Sequence, residues 1–469
     1  MKLIRILLLG IVILPNQIVW TQEDEIHHNL ESDSSDYTSN IREIFLKGHT
    51  EGHIRSYFMT TINHRQLYDY WANAIGGSLG YHTAIWRGFQ IGVKGIFTYN
   101  LASSDLNQVD PVSGKSAKWE KELFDITRPE ERKDLDRLEE LYIKYHYKNS
   151  LATFGKIDIN EGPLLLKRDG RMKPFAYKGG WFEFNEIKNQ SIKGGFIYAV
   201  SPRGMTEWYE LNEAIGILNN GAHQNYETLY YHEHAQTEGL SALGFENKSI
   251  KNLNLTMWHY YLHQVYHTIW SQADYENDRF FTGFQYVHQF ADTYQSTLAI
   301  ENRYFQPDEK SHTISTQIGF KSKENKNRFS AAYLHGFNSG KFLFPRELSR
   351  ENFYVSQPRS WVDGLGGVDI YMLRAQIKPT KQKFEGLSTD FRIERVQVSK
   401  SPKLNKYQIP SYFQSTLIAK YNFQDQLSGL YLSFLYAYRF TEHATKTNLT
   451  NEFYKTNFHH INLILNIIF

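Results

Sequence analysis

The chain has 469 residues, enough for several soluble domains or one large barrel. Of its 52 Lys+Arg, Lys2 and Arg5 belong to a candidate export signal. The remaining basic residues then balance the 50 Asp+Glu, which argues against a nucleic-acid partner and its need for excess positive charge.

Aromatic residues reach 15% while mean hydropathy is only −0.52. That pairing argues against a helical membrane protein and fits a barrel in which every second strand residue meets lipid. A large Tyr-rich extracellular β-sandwich or carbohydrate-binding protein shares the composition. The chain has no cysteine and so forgoes disulfide staples despite its export signal.

The positive start is followed by an apolar run from Ile6 to Leu14, too short for a spanning helix and typical of a cleaved signal peptide, 1–21. Residues 22–44 are acidic and Ser-rich without periodicity, a disordered periplasmic lead-in too short to form the plug of an active transporter. From 45 to 469 short β-prone runs follow one another with no domain boundary, and none approaches the ~20 apolar residues of a transmembrane helix.

The first run is Ile54 to Asn63, with Ile54, Ser56, Phe58 and Thr60 opposite Arg55, Tyr57, Met59 and Thr61. Runs at Tyr70–Tyr81, Gln90–Asn100, Leu141–Tyr147 and Leu151–Lys156 follow, the last two joined by the turn 148–150. Further candidates are Lys178–Ile187, Ser191–Val200, Thr237–Glu246, Leu253–Leu262, His267–Tyr275, Phe280–Phe290, Ser296–Phe305, His312–Lys321 and Arg328–His335. Val368–Ile377, Leu387–Val396, Phe413–Asn422 and Gly429–Phe440 complete the series before the last strand.

Tight turns alternate with long loops, notably Leu101–Glu139, Ser201–Gln236 and Gly336–Gly367. This rhythm predicts an all-β, transmembrane antiparallel barrel of about 18 strands, with periplasmic turns and extracellular loops that fold into the pore. Alternation makes Arg55, Arg303, Arg374, Arg392, Glu394 and Arg439 inward candidates, their charges satisfied by a water-filled lumen.

The final stretch, Asn457 to Phe469, puts Phe469, Ile467, Leu465, Leu463 and Ile461 on one face and His460, Asn462, Ile464, Asn466 and Ile468 on the other. A free end of this kind frays unless it pairs with the first strand. It is also the segment expected to meet the barrel-insertion machinery.

Two segments concentrate charge. Lys167–Pro174 carries Arg168, Arg171 and Lys173 around Asp169, a positive patch for carboxylates or a solvated, lipopolysaccharide-facing loop. The second runs Phe344-Pro345-Arg346-Glu347-Leu348-Ser349-Arg350, then Gln357-Pro358-Arg359, then Gly364-Leu365-Gly366-Gly367-Val368-Asp369. It resembles the loop-and-strand motif of the OprD-type outer-membrane porins, and the Gly155–Gly179 region resembles that family's early lumen loop.

The resemblance implies an eighteen-stranded channel in the outer membrane of a Gram-negative cell, monomeric in the family pattern (a trimer is the alternative). Its narrow pore, a basic ladder opposite acidic residues, would pass amino acids, peptides or small carboxylates without energy input. Arg168, Arg171, Arg346, Arg350 and Arg359 match the basic motif positions, and Glu347 and Asp369 the acidic ones. Leu348-Ser349 departs from the pattern, as does the acidic loop around Asp105–Asp136, which leaves the solute open.

His259, His263 and His267 would converge on a metal only if the segment were helical, and as a strand it puts His259 toward lipid. Asp105, Asn107 and Asp110 have oxygen spacing for Ca²⁺ but lack the EF-hand glycine and terminal glutamate. No catalytic or phosphate-loop motif is present, so neither metal nor cofactor is expected. A surface hydrolase, or a closed-lumen receptor or adhesin, stands as the alternative to a passive channel.

Overall fold

The computed structural model describes residues 37–469 apart from 129, 134, 168–169, 219–220, 222–227, 233, 323–326, 380–383 and 442–448. The expected signal peptide, most of the lead-in and Arg168 lie outside the described residues. The end of the lead-in is ordered. A short helix, Ile41–Leu46, is capped by Asn40 and docks where Ala84 donates its N–H to the Ile44 carbonyl, 2.9 Å.

The described strands are β1 (His49–Ile62), β2 (Tyr70–His82), β3 (Phe89–Ser103), β4 (Leu135–Tyr147), β5 (Ser150–Ile157), β6 (Ala176–Phe184), β7 (Gln190–Ser201), β8 (Tyr209–Glu210), β9 (Leu240–Asn247) and β10 (Leu253–Leu262). They continue as β11 (Tyr266–Glu276), β12 (Phe280–Ala291), β13 (Lys310–Lys321), β14 (Arg328–Gly336), β15 (Val368–Ile377), β16 (Leu387–Gln397), β17 (Tyr412–Asn422), β18 (Leu430–Phe440) and β19 (Phe458–Ile468). Each pairs antiparallel with its neighbour, and β1 pairs with β19, so 18 strands close a ring. The two-residue β8 hangs on β7 outside it.

Closure runs from His53 opposite Ile468 to Ile62 opposite His459. Phe469 extends it, exchanging backbone hydrogen bonds with Gly52 at 2.8 and 3.0 Å. Among the described residues no helix is long and apolar enough to cross a membrane, and the crossing is made by strands.

Alternation decides what each wall residue meets. Ile54, Leu463, Leu465, Phe391 and Ile393 are exposed on the outer face, whereas Tyr57, Met59, His460, Asn462 and Asn466 are buried on the inner one. Both termini and most short turns share one end. The long connections 104–134, 158–175, 202–239, 292–309, 337–367, 398–411 and 441–457 all leave the other, the extracellular end.

Several long loops enter the lumen. Phe342, Phe344, Leu348 and Phe353 of 337–367 pack with Tyr266, Trp270 and Val287 of the wall in one apolar cluster. Gln289 clamps that loop, donating to the Leu343 carbonyl at 2.7 Å and accepting from its N–H at 2.8 Å. Ser349 joins it to loop 158–175: its hydroxyl donates to the Leu166 carbonyl at 2.8 Å and accepts from the Leu166 N–H at 3.1 Å.

One expected strand is absent. Ser296–Phe305 lies in the 292–309 connection and contains 3-10 turns at Thr293–Thr297 and Ile300–Asn302. Asp292 accepts from the Tyr294 N–H at 2.8 Å, and this local cap turns the backbone out of an extended path.

Gly52 is where ring closure tolerates no side chain, because a Cβ there would stand 2.7 Å from the Phe469 ring and 2.9 Å from the Ser78 carbonyl oxygen. Gly52→Leu is expected to destabilise the barrel by about 2 kcal/mol through overpacking. The unheated, fast-migrating form should convert to the unfolded band at lower temperature on a gel than wild type.

Candidate functional site

Seven basic groups meet in the lumen from five loops. Glu122 of loop 104–134 takes both Arg171 (2.5 Å) and Arg203 (3.6 Å) as ion-pair partners. Burial alone would raise the Glu122 carboxyl, but Arg171, Arg203 and Arg359 outweigh it and hold it at about 2. Burial, and then the neighbouring Arg171, Arg350 and Arg359, depress Arg203 to about 9 against the pull of Glu122. Positive charge therefore exceeds negative where these loops converge.

Lys118, four residues before Glu122, is exposed to solvent yet enclosed by protein. That enclosure, reinforced by Arg346, lowers its ammonium to about 8. Lys455 of loop 441–457 is likewise lowered to about 8 by burial and Lys115, and it donates to the Tyr407 carbonyl at 3.0 Å.

Loop 337–367 builds the rest. Arg346 pairs with Asp363 at 2.8 Å, its guanidinium 3.9 Å from the ring centres of both Trp361 and Tyr407. Arg350 donates to the Ser360 carbonyl at 3.0 Å and lies over Trp361. Arg359 adopts a positive φ of 66°, which aims its guanidinium at His460 Nε2 (2.6 Å) and over Trp119. Glu347 is spent on backbone, accepting from the N–H groups of Gly216 (3.2 Å) and Leu218 (2.9 Å).

The wall adds an inward row of arginines. Arg55 donates to Asn466 (2.6 Å) and to the Arg171 carbonyl (2.5 Å). Asp390 bridges Arg374 (2.5 Å) and Arg392 (2.8 Å). Arg439 contacts Gln414 Oε1, the Lys455 carbonyl and the Arg359 carbonyl, and sits over Tyr412. Glu394 is buried against Gln357 and Ser360. Across the ring, Glu139, Glu140, Glu183 and Glu246 point inward from β4, β6 and β9, interspersed with Arg137 and Lys193.

Three expectations from sequence are corrected. Alternation puts Arg303 inward on a strand that does not form. It lies in the extracellular connection, donating to the Leu298 carbonyl at 3.0 Å. Asp369 faces outward, because its β15 neighbours Val368 and Ile370 take the inner positions. Its carboxylate accepts from Tyr333 (2.6 Å) and contacts His335 (2.8 Å) on the outer face. The third concerns water: Arg55, Arg171, Lys173, Arg350, Arg359, Arg392, Glu394 and Arg439 are each under a tenth exposed, enclosed by protein and not by an open lumen. Lys173, for instance, donates to Thr98 Oγ1 at 3.2 Å.

Lys118, Glu122, Arg203, Asp363 and Asp390 escaped the sequence reading. The first four sit in aperiodic loops, and Asp390 shares the inward face of β16 with Arg392 and Glu394. The histidines and the candidate calcium spacing bring no ligand set together. His259 and His267 stack on the outer face, and the Asp110 carboxylate accepts from the N–H groups of Tyr68, Val112 and Ser113. Among the described residues no three His, Asp or Glu converge as metal ligands.

A closed transmembrane ring with a charged, loop-narrowed interior is the architecture of a porin. A family model described as outer membrane porin, OprD family, matches residues 113–347, half of the chain, and the chain belongs to that family. It is a channel protein of the outer membrane and not an enzyme.

Solved structures with the same fold include OccAB2 of Acinetobacter baumannii (TM-score 0.70, 14% identity, 91% of this chain and 99% of that one). OccK9 (OpdG) of Pseudomonas aeruginosa gives 0.69 at 14% identity, covering 91% and 100%. OpdK of Pseudomonas aeruginosa, solved with vanillate, gives 0.65 at 15% identity, covering 91% and 99%. A search of curated proteins by sequence finds no match.

Removing Asp390 would leave Arg374 and Arg392 side by side with their shared carboxylate gone. Asp390→Ala is expected to destabilise the barrel by about 3 kcal/mol. Thermal unfolding in detergent checks this, and Arg374→Met in the same chain should restore part of the loss.

Proposed function

We propose that this barrel is a passive channel for small solutes bearing a carboxylate, whether anionic or zwitterionic, selected at a constriction where Lys118, Arg203 and Arg346 are the accessible cations and the buried Arg171, Arg350 and Arg359 add to the field behind them. The observation that carries this reading is the convergence of Arg171 and Arg203 on a single carboxylate, Glu122, at 2.5 and 3.6 Å, with Lys118 and Arg359 close by. A narrow space with more fixed positive than negative charge attracts a carboxylate and, having several alternative donors, lets it move from one to the next. The inward carboxylates of β4, β6 and β9 supply the opposite sign for an ammonium on the same solute. No energy-coupling element enters the mechanism.

Two outcomes test it in planar bilayers under a salt gradient. Wild-type channels are expected to prefer anions, and Lys118→Met with Arg203→Ala should reduce that preference roughly fivefold, about 1 kcal/mol for charges near water. Because Lys118 is held near 8, it is charged below that pH and neutral above it. Anion preference should therefore fall between pH 7 and pH 9 in wild type, with a smaller fall in Lys118→Met. A cation-selective channel, or one whose selectivity ignores both substitutions and pH, would sink the reading.

A further inference from the structure

The outer wall is not evenly apolar over β12–β17. A furrow of about 590 Å³ crosses it, unrelated to the pore. Its floor is Ala331 of β14. The register sets Ile318 of β13 on one side of that alanine and Leu373 of β15 on the other, and these banks are 66% and 64% exposed. Adjacent strands lie about 4.8 Å apart, so the banks stand about 10 Å apart over a methyl group, a channel the width of a single hydrocarbon chain. Thr282 and Thr316 continue the shallow floor across β12 and β13.

Toward the extracellular end the furrow changes character. Tyr333 follows Ala331 on the same face, lies tilted against Tyr371 with ring centres 5.0 Å apart, and donates its hydroxyl to Asp369. Arg395 stands opposite Tyr371 in the register, near the extracellular end of β16, with its guanidinium 5.3 Å from the Phe413 ring centre. His335 and Tyr333 both contact Asp369, so the head of the furrow carries the Arg395 guanidinium beside a carboxylate held by these two side chains.

We infer that this furrow is a binding site for a phosphorylated, acylated lipid of the outer leaflet, one chain lying over Ala331 between Ile318 and Leu373 and the phosphate meeting Arg395. The membrane supplies the occupant, since this face of an outer-membrane barrel is bathed in acyl chains. Guanidinium matches phosphate by charge and by fork geometry, and the adjoining tyrosines suit the level where chains give way to headgroups. Lipid held there would fix the wall on which Arg374 and Arg392 are mounted, without touching the pore.

Native mass spectrometry of the full barrel in mild detergent, titrated with lipid A or with dephosphorylated lipid A, tests the assignment. Wild type is expected to hold one lipid A, and Arg395→Gln should weaken this about tenfold, the worth of a charge-assisted contact. Ala331→Trp, which fills the furrow, should abolish it. Both variants should keep wild-type conductance and an unheated fast-migrating band, and Arg395→Gln leaves the furrow intact should the tryptophan block insertion. Equal retention by wild type and Arg395→Gln, or equal retention of the dephosphorylated lipid, would overturn the phosphate assignment. A wild-type dimer that Ala331→Trp converts to monomer would overturn it as well, by showing that a second copy fills the furrow.

Discussion

Hydrocarbon offers a peptide group no hydrogen-bonding partner, so every N–H and C=O in the wall must be satisfied by the protein itself. Pairing β1 with β19 meets that demand for the two strands an open sheet would leave bare. The rest of the molecule follows from this closure. Once the ring is sealed, period-two alternation divides each strand between lipid and lumen, and polar side chains have only the inside to occupy.

The inside is not left to water. Loops 104–134, 158–175, 202–239 and 337–367 fill much of it and hold the wall charges in place. Many of the arginines are anchored by carbonyl oxygens: Arg55 by Arg171, Arg350 by Ser360, Arg392 by Ser356 and Arg439 by Lys455. A carbonyl fixes a guanidinium without cancelling its charge, whereas a carboxylate cancels it. Asp390 and Glu122 do neutralise locally, but the balance around Lys118 and Arg203 remains positive. Geometry is thus set by neutral groups and the field by the ions left over.

The Leu348-Ser349 pair shows how loop and wall depend on one another. Expected from the resemblance to depart from the OprD-type motif, it is a point of loop-to-loop attachment in the structure. The Leu348 carbonyl accepts from the Tyr177 hydroxyl at 2.8 Å, and Ser349 holds Leu166. An aromatic residue and a glycine could not make the paired hydroxyl contacts of Ser349. The pair therefore ties loop 337–367 both to the wall at Tyr177 and to loop 158–175 at Leu166.

By itself the sequence determined the membrane barrel, the facing of most of its strands and the end from which the long loops emerge. These depend on a repeat of two residues and on turn chemistry, both local. It puts a strand at Ser296–Phe305, where a β-prone composition is overruled by an Asp292 cap. It also mis-faced Asp369, which lies at the junction of a loop and a strand, where the alternation has only begun. The constriction was legible as arginines and not as a site, because Lys118, Glu122, Arg203 and Asp363 come from loops with no period to read. Which charges meet there depends on contacts between segments far apart in the chain, such as Arg171 with Glu122, and only the tertiary structure fixes those.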